Sequence, residues 1–192
     1  MIRAERARRS LTLVIVELLV ACGGGRTFTA DQLDALVLQP SEAPPGTTYV
    51  GQASGPADLD VFSQGVQEAQ QRFADLGFEG GHVALFSSAD GSITIGSGAL
   101  VFEDAGAARE ALDVQRSVVV PNATTGSSAV SVSDLGEEWF GFTFESGPLQ
   151  QPGAIYGFQV GNAMFLISGS GASVSPEELR PLAETVAARA EE

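Results

Sequence analysis

Few side chains in this sequence could do covalent or metal chemistry. Cys22 is the only cysteine and His82 the only histidine. The usual zinc sites need three or four cysteine or histidine ligands, so the sequence excludes them, and no Asp-x-Asp-x-Asp loop offers a calcium site. His82 opens a short apolar run and lacks a Gly-x-Ser-x-Gly partner sequence, which favours a structural histidine over a general base. We therefore predict no metal and no cofactor.

Neighbouring carboxylates are the other candidates for catalysis. Glu137 and Glu138 precede Trp139, and paired carboxylates beside an aromatic ring would suit a sugar hydrolase. Successive residues of a strand point to opposite faces of its sheet, so this pair is not expected to converge. The pairs 103/104 and 177/178 lie at expected helix starts, where capping and the helix dipole explain them. We predict a non-catalytic protein, with a hydrolase as an unlikely alternative.

The first 21 residues have the order of a secretory signal peptide. A basic segment precedes an apolar run from Leu11 to Ala21, and its cations are Arg3, Arg6, Arg8 and Arg9. A run of eleven residues is too short to span a membrane as a helix, which needs about 20. We therefore predict that residues 1–21 are removed on export.

The run ends in Leu19-Val20-Ala21-Cys22, which resembles the lipobox of bacterial lipoproteins. The resemblance implies cleavage between Ala21 and Cys22, a diacylglyceryl thioether on Cys22, and often a further acyl chain such as palmitate on its amino group. Two acyl chains give stable membrane anchoring where one does not. Residues 22–28, with three glycines, would be a flexible tether on the outer face of the cell membrane.

Two alternatives to this interpretation stay open. Glu17 interrupts the apolar run, so the segment could be an ordinary signal peptide or the start of a cytoplasmic protein, with Cys22 an unmodified thiol. The export route is also open, because Arg8-Arg9-Ser10-Leu11 resembles a twin-arginine signal.

The charge of the chain limits its partners. Residues 22–192 carry 22 acidic residues against six arginines, and the whole chain has no lysine. Such an acidic domain is repelled by nucleic acid and by anionic headgroups, so we predict neither as a partner. About 170 residues suffice for a single domain with its own core, which we place at 29–192.

Capping and turn residues divide this domain into elements. Helices are predicted over residues 29–39, 58–76, 104–115 and 175–190, and strands over 82–86, 92–102, 130–135, 139–144, 154–160 and 163–168. Capping boxes at Thr29–Gln32 and Ser175–Glu178 begin the first and last helices, Gly77 ends the second, and Pro181 should kink the last helix or postpone its start. Gly96 and Gly98 predict a bulge or a close packing contact in their strand. Asp90-Gly91 and Gly161-Asn162 predict hairpin turns. Short turns imply antiparallel pairing, so the predicted fold is α+β, with an antiparallel sheet of about six strands and amphipathic helices packed on it.

The order of these elements resembles small exported lipoproteins of actinobacterial type, including those with a PsbP-like or Mog1-like sheet. It rests on the capped opening helix, Pro44-Pro45-Gly46, the helix start Phe102-Glu103-Asp104 and the late hairpin Val160-Gly161-Asn162. The resemblance implies a non-enzymatic envelope protein and transfers no functional residue. We therefore expect a lipid-anchored module that binds an envelope protein or small ligand, with a carrier of an apolar ligand or lipid as the alternative.

Overall fold

The computed structural model describes residues 25–131 and 134–192 of the chain. Its strands are β1 Thr48–Tyr49, β2 Gly55–Pro56, β3 Phe78–Ser87, β4 Thr94–Phe102, β5 Ser128–Ala129, β6 Glu138–Phe144, β7 Gly153–Val160 and β8 Ala163–Ser170. They form one antiparallel sheet in the order β1-β3-β4-β8-β7-β6-β5, and β2 also pairs with β3. The predicted α+β class is confirmed, with five long strands and three of two residues instead of about six strands.

Helices cover both faces of this sheet. They are α1 Leu33–Leu36, α2 Leu59–Ser63, α3 Gln67–Asp75, α4 Ala105–Val114, α5 Val120–Ala123 and α6 Pro176–Glu191, and a π-helical turn, Gln115–Val119, joins α4 to α5. We call the two faces of the sheet the α6 face, which α1 and α6 cover, and the α4 face, which α2 to α5 cover.

The α6 face holds the larger core. Phe158 of β7 stacks on Phe165 of β8 across the strands, with ring centroids 5.2 Å apart, and Phe28 meets Phe165 edge to face at 6.2 Å. Leu179, Val186 and other small and aliphatic residues of α6 pack over these rings. The closing helix begins at Pro176, as its Ser175–Glu178 capping box predicts, so Pro181 does not postpone its start, and the predicted kink at Pro181 stays a prediction.

On the α4 face, glycines bring a helix close to the sheet. Phe62 of α2 is 4% exposed and lies over Gly81 and Gly98, where a Cβ atom would meet its ring. The predicted close packing at Gly98 is therefore confirmed, whereas the bulge of this hairpin lies at Phe78/Gly80 in β3.

The helix predicted over 58–76 is wrong as one continuous element. Gln64 and Gly65 both have positive φ, 52° and 78°, which ends α2 and turns the chain into α3. The apolar spacing of Phe62 and Phe73 survives the break because each part still packs on the α4 face. The predicted stop at Gly77 is confirmed by its φ of 70°.

Two further predictions fail between the hairpins. The third helix starts at Asp104 as predicted, with the carboxylate accepting from the Ala107 N–H at 2.8 Å, but the π-helical turn carries it past Pro121 to Ala123. Proline is tolerated there because it lies in the first turn of α5. The strand predicted over 130–135 is also wrong at residues 130–131 and 134–135, which belong to no strand, while residues 132 and 133 lie outside the described part of the chain. The edge strand is β5, and Leu135 is buried in a turn whose neighbours Asp134 and Gly136 have positive φ.

Candidate ligand-binding groove

An open groove crosses the α4 face, where the helices leave part of the sheet uncovered. It consists of two depressions of about 160 and 180 Å³ that share five lining residues, Gln64, Leu85, Gly96, Ile155 and Ser168. Ligand sites of small molecules start at roughly 300 Å³, which the two depressions reach together. The groove is therefore large enough for a small ligand or part of a chain.

The floor of the groove is built from the central strands in register. Leu85 of β3, Gly96 of β4, Ser168 of β8 and Ile155 of β7 lie side by side across the sheet. Gly96 has no side chain and Ser168 a small one, so the floor is lowest in the middle of this row.

The rims of the groove carry exposed apolar side chains. Val61 of α2 stands at one side and Leu149 of the β6–β7 loop at the other, and each is 53% exposed. The turn at Gln64 and Gly65 places α2 on the first rim, and a left-handed Gln150 with φ 56° shapes the loop that holds Leu149. Exposed apolar residues on both sides of an apolar cleft are typical of a binding site.

The lining of the groove is uncharged throughout the part of the chain that the structure describes. The polar groups are Gln64 and a set of hydroxyls, which belong to Thr94, Thr124, Ser168 and Ser170. Such a surface can bind and orient a neutral molecule but offers no titratable acid or base.

A second cavity of about 340 Å³ lies on the α6 face. It is lined mainly by prolines and aliphatic side chains, among them Pro44, Pro45, Pro181 and Leu182. Its charged residue, Glu178, is held by the capping box, in which it accepts from the Ser175 N–H at 3.0 Å. This cavity is apolar like the groove, but it lacks the groove's row of hydroxyls.

Of the predicted site residues, Ala21 and Cys22 lie outside the described residues. His82 lies in β3 on the α6 face, beside Asp34, Gln39 and Tyr49 in a shallow cavity without a serine lining. Partial burial lowers the pKa of His82, although the charge of Asp34 opposes the shift. His82 is therefore half-buried on the α6 face, and its structural role stays a prediction.

Glu137 and Glu138 do not converge. The Glu137 Oε1 accepts from the Gly161 N–H at 3.1 Å, whereas Glu138 lies 3.3 Å from the Arg109 guanidinium. Neither residue lines the groove or the cavity on the α6 face. The geometry therefore favours two separate structural roles over the acid and nucleophile of a hydrolase.

Asn162 holds the N-terminal segment to the end of the sheet. Its side chain is 4% exposed, accepts from the Phe28 N–H at 2.7 Å, and donates to the carbonyls of Phe28 and Phe102 at 3.1 and 2.9 Å. Its own N–H donates to the Arg26 carbonyl at 3.2 Å. The sequence predicted only a turn here, because the partners of Asn162 are distant along the chain. Phe28 is 134 residues away and Phe102 is 60 residues away.

The described part of the chain offers neither a metal-binding cluster nor a membrane-spanning helix. Residues 25–131 and 134–192 contain no cluster of three or more His, Cys, Asp and Glu side chains that could hold a metal ion. Among the helices of the same residues, none is long and apolar enough to cross a membrane.

Comparison with known proteins yields a likeness in fold. The chain matches the crystal structure of the extracellular domain of PknH from Mycobacterium tuberculosis with a TM-score of 0.55 and 14% identity, over 88% of this chain and 99% of that domain. No protein-family model matches the chain. No curated protein matches it either. The two domains share a fold, and the resemblance to PsbP-like and Mog1-like proteins stays a prediction.

Proposed function

We propose that this protein is exported, anchored to the outer face of the cell membrane through a lipid on Cys22, and that its domain binds a small ligand in the groove on the α4 face. The groove carries the proposal. It is open, uncharged and edged by the exposed side chains of Val61 and Leu149.

The chemistry of the groove supports binding without catalysis. Its hydroxyls have no base beside them, because His82 lies on the opposite face of the sheet and no carboxylate lines the groove in the described residues. A serine needs such a base to act as a nucleophile at neutral pH. The carrier of an apolar ligand is a second candidate, which the same uncharged lining favours.

Export and anchoring rest on the N-terminal sequence. The lipobox-like Leu19-Val20-Ala21-Cys22 follows a signal-like segment, and the fold is shared with a domain described as extracellular. Arg26 to Phe28 already bind to the end of the sheet, so the tether from Cys22 to Arg26 spans at most about 14 Å. The proposed lipid would therefore hold the domain close to the membrane surface.

Mass spectrometry of the membrane fraction tests the anchor. We expect a mature chain that begins at Cys22 and carries added acyl mass, and the Cys22→Ser variant should lose both the acyl mass and the membrane association. An uncleaved or unacylated wild-type chain would contradict the anchoring part of the proposal.

Native mass spectrometry of the purified protein tests the groove. Wild-type protein isolated from its own envelope should retain a small molecule that Gly96→Val protein, with its groove filled, does not. The control is Ser128→Val, which adds a similar side chain on the exposed edge strand β5. Equal loading of the Gly96→Val variant and the wild type would contradict binding in the groove.

A further inference from the structure

The side chains on the groove floor change from polar to apolar along the strands. At the end of the sheet, Thr94 of β4 faces Ser170 of β8, and two residues further in, Gly96 faces Ser168. Another two residues in, Gly98 faces Leu166, with Val83 as its neighbour on β3. From Thr94 to Gly98 the gradient covers about 13 Å, at 3.3 Å per residue.

The polar end of this gradient has free hydrogen-bonding capacity. Within the described residues, the hydroxyls of Thr94, Ser168 and Ser170 have no protein hydrogen-bond partner, and each residue is only partly buried. The nearby Thr124 hydroxyl donates to the Val120 carbonyl at 2.7 Å and can still accept a bond. A ligand at this end would therefore meet several donors and acceptors but no charge.

The apolar end is closed by α2. Val61 and Phe62 stand over Val83 and Leu166, and the ring of Phe62 covers Gly98. An aliphatic group that enters from the polar end would lie along Gly96 and end against these side chains.

The charge of the domain selects further among ligands. The acidic surface of the domain repels anions, and a cation would find no carboxylate in the lining of the described groove. A charged group moved from water into a neutral apolar site loses hydration without gaining a partner. A neutral molecule is not repelled by the acidic surface and has no charge whose hydration would be lost.

From this gradient and this neutrality we infer that the groove binds an uncharged amphiphile, with its hydroxylated head at Thr94 and Ser170 and its alkyl chain along Gly96 towards Leu166. This inference rests on the proposed function of the groove and adds the class and the direction of the ligand.

Three probes with the same alkyl chain test the class. Below their micelle concentrations, n-octyl glucoside, octanoate and octyltrimethylammonium would compete with the neutral fluorophore N-phenyl-1-naphthylamine on the wild-type protein. We expect the glucoside to bind at least about ten-fold more tightly than either charged probe. This comparison needs no variant, so it does not depend on the folding of one.

Two substitutions test the direction. Gly96→Val places a branched side chain in the middle of the groove and should weaken binding of the glucoside at least ten-fold. Ser128→Val should leave the affinity for the glucoside unchanged. Ser170→Ala removes a hydroxyl at the proposed head position without adding volume, so it should weaken binding of the glucoside about five-fold and leave binding of the fluorophore unchanged. Thermal melting of each variant checks that it is folded.

The outcomes separate this inference from the proposed function. If octanoate or octyltrimethylammonium binds best and Gly96→Val abolishes that binding, the groove is a binding site but the inferred ligand class is wrong. If Ser170→Ala weakens binding of the fluorophore as much as binding of the glucoside, the inferred direction is wrong. If no probe binds, or all bind the Gly96→Val variant as well as the wild type, both the inference and binding in the groove are overturned.

Discussion

Gln115 is a site at which a single substitution should stabilise the domain. It is fully buried at the start of the π-helical turn, and neither its side-chain Nε2 nor its Oε1 has a hydrogen-bond partner among the described residues. The backbone is satisfied, because the Gln115 N–H donates to the carbonyls of Ala111 and Leu112. Both polar atoms of the side-chain amide are thus buried without a protein hydrogen-bond partner in the described part of the chain.

Replacing this amide by a thioether should recover much of that loss. A buried polar group without a partner costs about 1–3 kcal/mol, and methionine keeps the length of the side chain while it removes both polar atoms. We expect Gln115→Met to raise the free energy of unfolding by about 2 kcal/mol. For a domain of this size, that gain corresponds to a rise of roughly 4–8 °C in the melting temperature.

Urea denaturation and thermal melting would measure the effect. The control is Gln71→Met, which makes the same change on the exposed surface of α3 and should alter stability by less than about 0.5 kcal/mol. A loss of stability in Gln115→Met, with Gln71→Met unchanged, would refute the reasoning, since it would mean that the Gln115 amide contributes favourable interactions.

Three other substitutions test how the fold is held together. Asn162→Ala removes three buried hydrogen bonds and should lower the free energy of unfolding by about 3 kcal/mol in urea denaturation. The control Asn122→Ala, on the exposed face of α5, should lower it by less than about 1 kcal/mol. Gly161→Ala should lower the free energy of unfolding more than Gly65→Ala in the same assay. Both glycines have positive φ, which costs about 1 kcal/mol for alanine, but the new Cβ at 161 would also overlap the Arg26 carbonyl oxygen. Burial opposes ionisation of Glu42, yet the Gln39 N–H and the Arg189 guanidinium outweigh it and lower its pKa. A lowered carboxyl pKa stabilises the fold above about pH 4.3, so Glu42→Gln should be less stable than wild type by about 1 kcal/mol at pH 7. Thermal melts over a pH series should show this difference vanish as the pH falls through the folded-state pKa of Glu42. A difference that persists at pH 2 would contradict this explanation.

Local signals in the sequence were reliable where they involve neighbouring residues. The capping boxes at Thr29 and Ser175 and the stop at Gly77 each depend on side chains or φ values within a few positions, and the structure has all three. The two hairpin turns, at residues 90–91 and 161–162, were predicted for the same reason. These elements in turn fix the antiparallel order of the central strands.

Long-range packing decided the elements that the sequence did not predict. The β1 and β5 edge strands are two residues long, too short to leave a periodic pattern. Leu135 is the last apolar residue of the strand predicted over 130–135, but in the structure it packs into the core of the α6 face from a turn. The role of Asn162 depends on Phe28 and Phe102, which only the fold brings to it.

The groove was hidden from the sequence because it depends on a helix that breaks. The apolar residues of 58–76 have the spacing of one amphipathic helix, and no propensity rule demands that Gln64 adopt a positive φ. The break is tolerated because Phe62 remains fixed over Gly81 and Gly98, while α3 continues on its own axis. Since Gln64 lines both depressions, the turn that interrupts the helix also borders the groove. The position at which local prediction failed is therefore the position that shapes the candidate site. A substitution that strains this turn, such as Gly65→Ala, should alter probe binding in the groove more than the substitution of any exposed residue of α6.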